Sequence, residues 1–221
     1  MPKPVTDFLA HFWIGMVKRW HAVTNGILLA ASAGVALTAS VLVLWRLVDE
    51  ADVLVENFRP GTLERLGFGP EELLARNPGL VITRVTGFGQ DGPYAQRPGF
   101  ATIAEAMSGF AALNGEPDGP PLLPPIALTD EATGLAAAFA TMVAVHSGRG
   151  QVVDVNLLET MFHLMGPLAT VYAVRGELQP RLGSGLPYTV PRGTYCCGDG
   201  RYVAVSTSTD TVAARVMELL G

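Results

Sequence analysis

Beyond Trp45 the chain alternates short apolar runs with stretches of helical periodicity, separated by loops rich in glycine and proline. That alternation constrains the fold more than any other feature, because it is the pattern of an α/β structure in which helices return the chain from one strand to the next. A helix end is expected over residues 44–50, then a β run at 53–55 that delivers the loop Glu56-Asn57-Phe58-Arg59-Pro60-Gly61. Pro70 with Glu71 and Glu72 suits a helical first turn, Asn77-Pro78-Gly79 ends that helix, and residues 80–85 read as the next strand. Gly87-Phe88-Gly89-Gln90-Asp91-Gly92-Pro93-Tyr94 and then Arg97-Pro98-Gly99 form a connection too long for a simple turn. Helices are expected at 101–109, 128–146, 157–174 and 209–220, and strands at 151–156 and 202–206, with a Pro- and Gly-rich excursion at 114–125.

Residues 1–45 have a different composition. All three tryptophans (Trp13, Trp20, Trp45) and both lysines (Lys3, Lys18) lie there, whereas the rest takes its positive charge from arginine alone. From Ala22 to Trp45 no side chain is charged, and a helix of that length, at ~1.5 Å per residue, crosses a ~30 Å hydrocarbon layer. Three readings stand open: a membrane helix, a buried helix rich in small residues, or a segment translated out of frame or spliced from elsewhere.

The overall composition narrows the function classes. With 49% hydrophobic and 16% charged residues the chain is no disordered or fibrous protein. A net charge of −5 and the lack of a long basic run argue against a nucleic-acid partner. Cys196 and Cys197 are adjacent, which gives neither a bridging framework nor a CxxC spacing, so a reducing, cytoplasmic location is expected. Membrane association would come only through residues 22–45. His11, His21, His146 and His163 share no metal-ligand spacing, and no metal site is expected. His163, on an apolar helix, reads as a satisfied interior imidazole. The GxG at Gly87 to Gly89 lacks a third glycine and a following helix, which excludes a dinucleotide fingerprint, and no GxSxG elbow occurs.

Asp130 is the sharpest site candidate. It follows the excursion and opens a helix, where the dipole favours the negative charge a nucleophile needs. The competing reading is a helix cap, which position alone favours. Glu131 beside it reads as a solvated first-turn charge. The loop after the 53–55 run offers the Asn57 amide, the Phe58 ring and the Arg59 guanidinium at one strand end. A purine can stack on Phe58, and Arg59 or Arg65 can meet phosphate oxygens; equally, Phe58 can be core and the arginines surface.

Five segments carry a resemblance: ADVLVENFRPGTLERLG (51–67), GFGQDGPYAQRPGF (87–100), AEAMSG (104–109), GEPDGPP (115–121) and GRGQVVDVNLLE (148–159). Together they closely resemble the family III CoA-transferases, the CaiB/BaiF group that includes formyl-CoA and carnitine CoA-transferases, over residues 44–221. The resemblance implies an incomplete Rossmann-like large domain at 46–180, a linker and the start of a smaller domain at 181–221, and an atypical segment at 1–45. It implies transfer of coenzyme A from an acyl-CoA donor to a carboxylic acid through an aspartyl-CoA thioester, with no prosthetic group. The family's aspartate falls on Asp130, which reverses the preference for a cap. Asn57 and Phe58 would line the adenine and ribose, Arg65 and Arg97 would meet phosphates, and the family's flexible glycine loop corresponds loosely to Gly183-Ser184-Gly185.

Two departures set further expectations. Nothing in residues 1–43 resembles the family's first strand and loop, and the family continues well past residue 221 and forms interlocked homodimers. An inactive fragment, or a sequence altered near its start and cut at its end, is therefore expected. A non-catalytic, membrane-tethered CoA-binding remnant is the alternative. An α-methylacyl-CoA racemase relative is disfavoured, because Phe100 stands where the racemases use histidine.

Overall fold

The computed structural model describes residues 34–221. Helix α1 (Gly34–Glu50) leads into β1 (Val53–Glu56). Helices α2 (Thr62–Arg65) and α3 (Pro70–Arg76) lead to β2 (Val81–Thr86). Helices α4 (Ala101–Met107), α5 (Phe110–Leu113) and α6 (Leu128–His146) lead to β3 (Gln151–Asn156). Then come α7 (Leu157–Leu164), α8 (Leu168–Arg175), the hairpin β4 (Arg192–Cys196) and β5 (Tyr202–Ser206), and α9 (Asp210–Leu220).

The order β1-β2-β3 is parallel throughout, with Leu54 beside Ile82, Thr83 beside Val153 and Arg84 between Glu56 and Asp154. Strand side chains alternate between faces, so Ile82 and Thr83 look opposite ways. On the Ile82 face lies an apolar core of Val48, Leu63, Phe68, Leu73, Leu80 and Ile82, closed by Leu44, Trp45, Leu54 and Phe58. On the other face Thr83 meets α6, its Oγ1 2.6 Å from Thr141 Oγ1. Helices thus cover both sides of a parallel sheet, the arrangement that the strand, loop, helix alternation predicts. Among the described residues α6 alone is a single helix long and apolar enough to cross a bilayer; it lies instead along β2 and β3.

The end of the charge-free run belongs to this core. Trp45 packs against Phe68 with ring centroids 4.8 Å apart, and the Arg76 guanidinium lies 5.5 Å from the Trp45 ring. Arg76 also makes a two-pronged ion pair with Asp49, both contacts 2.6 Å. The junction placed at residue 45 falls inside α1, and residues 22–33 of the run lie outside the described residues.

Two expectations are corrected and one strand is added. The single helix at 157–174 is two, α7 and α8, bent by 71°: Gly166 adopts φ 60°, and Pro167, with no N–H to give, cannot continue a helix. Residues 192–196 form β4, an element the sequence does not announce because Arg192-Gly193-Thr194-Tyr195-Cys196 has no apolar alternation; antiparallel pairing with β5 forms it. His163 is exposed, on the solvent side of α7, and is no interior imidazole.

Candidate active site

Parallel strands put every strand-to-helix loop at one sheet edge, and a helix that returns to the next strand starts at that edge. Helix α6 ends at His146, the chain turns through Gly148 at φ 69°, and β3 starts at Gln151. The first turn of α6 therefore lies at the carboxyl ends of the strands. From the Thr83 to Thr141 contact, Asp130 is about 16 Å back along the helix and Thr86 about 10 Å along the strand, leaving Asp130 about 6 Å past the end of β2.

The start of α6 is anchored from inside. Thr129 is fully buried and its hydroxyl donates to Oε1 of the buried Glu105 on α4 at 2.7 Å, while Thr133 donates to the Thr129 carbonyl at 2.7 Å. The helix cap position is Ala127, with no side-chain cap bond. Asp130 does not perform the capping role that position alone favours. Its carboxylate is exposed and makes no hydrogen bond or ion pair with the described residues. Glu131 is exposed beside it.

The loop after β1 shares this edge. Asn57 and Arg59 are exposed, Pro60 is buried, and Phe58 is half-buried, packed in part against the apolar core. The Phe58 N–H donates to Glu56 Oε2 at 2.7 Å. Gly61 adopts φ 80°, and Arg65 is exposed one turn on, donating to Thr62 Oγ1 at 2.9 Å.

The glycine-dense connection after β2 folds back on itself. A Cβ on Gly87 would stand 2.6 Å from the Gly99 Cα, and one on Gly99 equally close to Gly87, so the two backbones touch only because neither has a side chain. The Gly89 N–H donates to Thr86 Oγ1 and the Gln90 N–H to Asp154 Oδ2, both at 2.8 Å. Gln90 Nε2 is buried with no acceptor among the described residues. Arg97 is exposed and stacks 4.3 Å over the Tyr94 ring, which leans on Phe88 at 5.6 Å. Gly183 is tied to the excursion through its N–H to the Gly115 carbonyl at 3.1 Å, and Ser184 Oγ accepts the Thr194 N–H at 2.7 Å.

Beneath these loops lies a charged group the sequence reading did not single out. Arg84 is buried; its Nε donates to Glu56 Oε1 at 2.6 Å and its Nη1 to Glu64 Oε1 at 2.7 Å. The Arg84 hydrogen bonds hold the Glu64 carboxyl below the usual range against a partial burial that opposes them. Burial, with Asp91 and Glu159 nearby, pushes Asp154 above its usual value, although the Gln90 N–H works the other way. Among the described residues no cluster of His, Cys, Asp and Glu could hold a metal ion.

The family described as CoA-transferase family III matches residues 37–221. A succinyl-CoA–D-citramalate CoA-transferase of Chloroflexus aurantiacus is 42% identical over 180 residues, covering 80% of this chain and 45% of that protein. The alpha subunit of a succinyl-CoA–L-malate CoA-transferase from the same organism is 38% identical over 213 residues, covering 94% of this chain and 48% of its own. That match takes in part of the segment ahead of residue 37, where the sequence reading saw no likeness. The crystal structure of a CaiB/BaiF family protein from Brucella suis superposes with a TM-score of 0.68 at 36% identity, covering 80% of this chain and 48% of that one. The chain spans about half the length of the relatives it matches, and it belongs to CoA-transferase family III.

Proposed function

We propose that this chain carries the nucleophile and the nucleotide-facing loops of an enzyme that moves coenzyme A from an acyl-CoA to a free carboxylic acid. What supports the reading is the topology: the helix that carries the unpaired Asp130 starts at the same edge of the sheet from which the loops at 57–61 and 87–99 leave β1 and β2. In this reading an Asp130 oxygen attacks the thioester carbonyl, the C–S bond breaks, and the CoA thiolate leaves a mixed anhydride. The thiolate then attacks the aspartyl carbonyl, expelling the donor carboxylate and leaving an aspartyl-CoA thioester. The acceptor carboxylate attacks that thioester, the thiolate leaves again, and its attack on the acceptor acyl carbon releases Asp130. Each step exchanges one acyl bond for another, and no water, metal or prosthetic group takes part.

The exposed part of the Phe58 ring and the Asn57 amide are assigned to the adenine and ribose, and the exposed guanidinium groups of Arg65 and Arg97 to the phosphates. Short dicarboxylic acids are the first substrates to try, because the relatives named above act on succinyl-CoA. The proposal extends to a homodimer: Leu135, Phe139, Met142 and Val143 form an uncovered apolar stripe on α6 that a second copy would bury. It also extends to the cytoplasm, where the exposed free thiols of Cys196 and Cys197 stay reduced.

Incubation with succinyl-CoA followed by peptide mass spectrometry tests the chemistry. A CoA adduct on Asp130 is expected, absent from Asp130→Asn. No adduct at millimolar donor, or an equal yield from the variant, rejects Asp130 as the nucleophile.

A further inference from the structure

We infer that Glu56, Arg84 and Asp154, lying side by side across the three strands, form a positioning row that sets both nucleotide-facing loops at once. The inference rests on the reading above, that this edge receives coenzyme A. The register puts the three residues on one sheet face, one strand apart, within a residue or two of the strand ends. Each carboxylate is committed to a different loop. Glu56 Oε2 takes the Phe58 N–H at 2.7 Å, and Asp154 Oδ2 takes the Gln90 N–H at 2.8 Å. Arg84 stands between them in the register, bonded to Glu56 at 2.6 Å and to Glu64 at 2.7 Å.

A buried arginine with two carboxylate partners is a costly way to fill a core, and an apolar triplet would do as well for stability alone. The directional bonds it makes are what an apolar triplet lacks. Through Glu56 the row fixes the backbone that carries the Phe58 ring, and through Asp154 it fixes the backbone under Gln90, whose buried side-chain nitrogen still lacks an acceptor. A ligand bridging the two loops meets both in a set geometry, which lowers the ordering cost of binding.

The test compares CoA with pantetheine, which lacks the nucleotide, by calorimetric titration of the full chain. Arg84→Met and Asp154→Ala are each expected to weaken CoA about tenfold while leaving pantetheine within twofold, and Arg84→Lys to restore part of the loss. Amide exchange should quicken at Phe58 in Arg84→Met and at Gln90 in Asp154→Ala. Asp154 is only partly buried, unlike Arg84, so its variant keeps the test open if Arg84→Met does not fold. Equal losses for both ligands, or unchanged CoA affinity in a folded variant, overturn the row as a positioning device. If the unaltered chain binds CoA no better than pantetheine, the nucleotide reading of the edge fails first and takes this inference with it.

Discussion

Residues 48–161 hold every buried apolar side chain among those described, whereas beyond Met161 Thr207 is the only buried residue among those described. The two regions contain comparable secondary structure and are held by different forces. In the first, helices α1, α3 and α6 press on a parallel sheet, and even the charges inside are paired. In the second, β4 and β5 exchange backbone hydrogen bonds while Tyr195, Tyr202 and Val203 stay exposed. A two-stranded ribbon without a packed face is marginal in water. Hydrogen bonding alone shapes the hairpin; apolar burial stabilises the sheet.

The sharpest way to break this comparison is native-state hydrogen exchange. Amides of β2, at the centre of the sheet, should open only with global unfolding, and those of β4 and β5 through local opening, a difference of about a thousandfold or more. Equal protection in both would mean that the hairpin is integrated with the core.

Side-chain truncation gives the next largest effect. Leu73 and Ile82 are fully buried, and Leu73→Ala should cost about 2–5 kcal/mol in denaturant unfolding. Val203→Ala, on the exposed hairpin, should stay within about 0.5 kcal/mol. A Val203 cost approaching that of Leu73 would erase the distinction.

The same contrast governs what the sequence made legible. Beta runs flanked by turn residues located β1, β2 and β3 within a residue or two, because burial imposes an apolar pattern. Strand β4 carried no such pattern, since no core selects its residues; its partner β5, equally exposed, was legible from the β-forming run Tyr202-Val203-Ala204-Val205 alone. The resemblance names Asp130, Asn57, Phe58, Arg65 and Arg97 as candidates, and their segments start or end at one sheet edge. Glu56, Arg84, Glu64 and Glu105 were missed because each looks locally like a surface charge. Arg84 and Asp154 do interrupt strand runs, in Val81-Ile82-Thr83-Arg84 and Val152-Val153-Asp154. Only the register, which pairs residues far apart in the chain, reveals that they are neighbours.

The smallest expected effect is electrostatic and concerns Glu64. Its carboxyl is held below the usual range chiefly by the Arg84 hydrogen bonds, so the ionised form is favoured more in the folded than in the unfolded chain. A carboxyl of this kind adds stability above its unfolded value, about 4.3 for glutamate, and the contribution is lost as pH falls through the lower folded value. Glu64→Gln should therefore unfold more readily than the parent at neutral pH and converge with it on acidification below that range. Because 40% of the Glu64 side chain is in contact with solvent, screening keeps the gap well under that of Leu73→Ala. The matched control is Asp199→Asn in the hairpin, where Arg201 at 3.6 Å is 88% exposed and the pair is worth little at any pH. Melting curves from pH 3 to 7 should converge for the Glu64 pair and run parallel for the Asp199 pair. A pH-independent gap at Glu64 would show that Arg84 holds it by shape and packing rather than by charge.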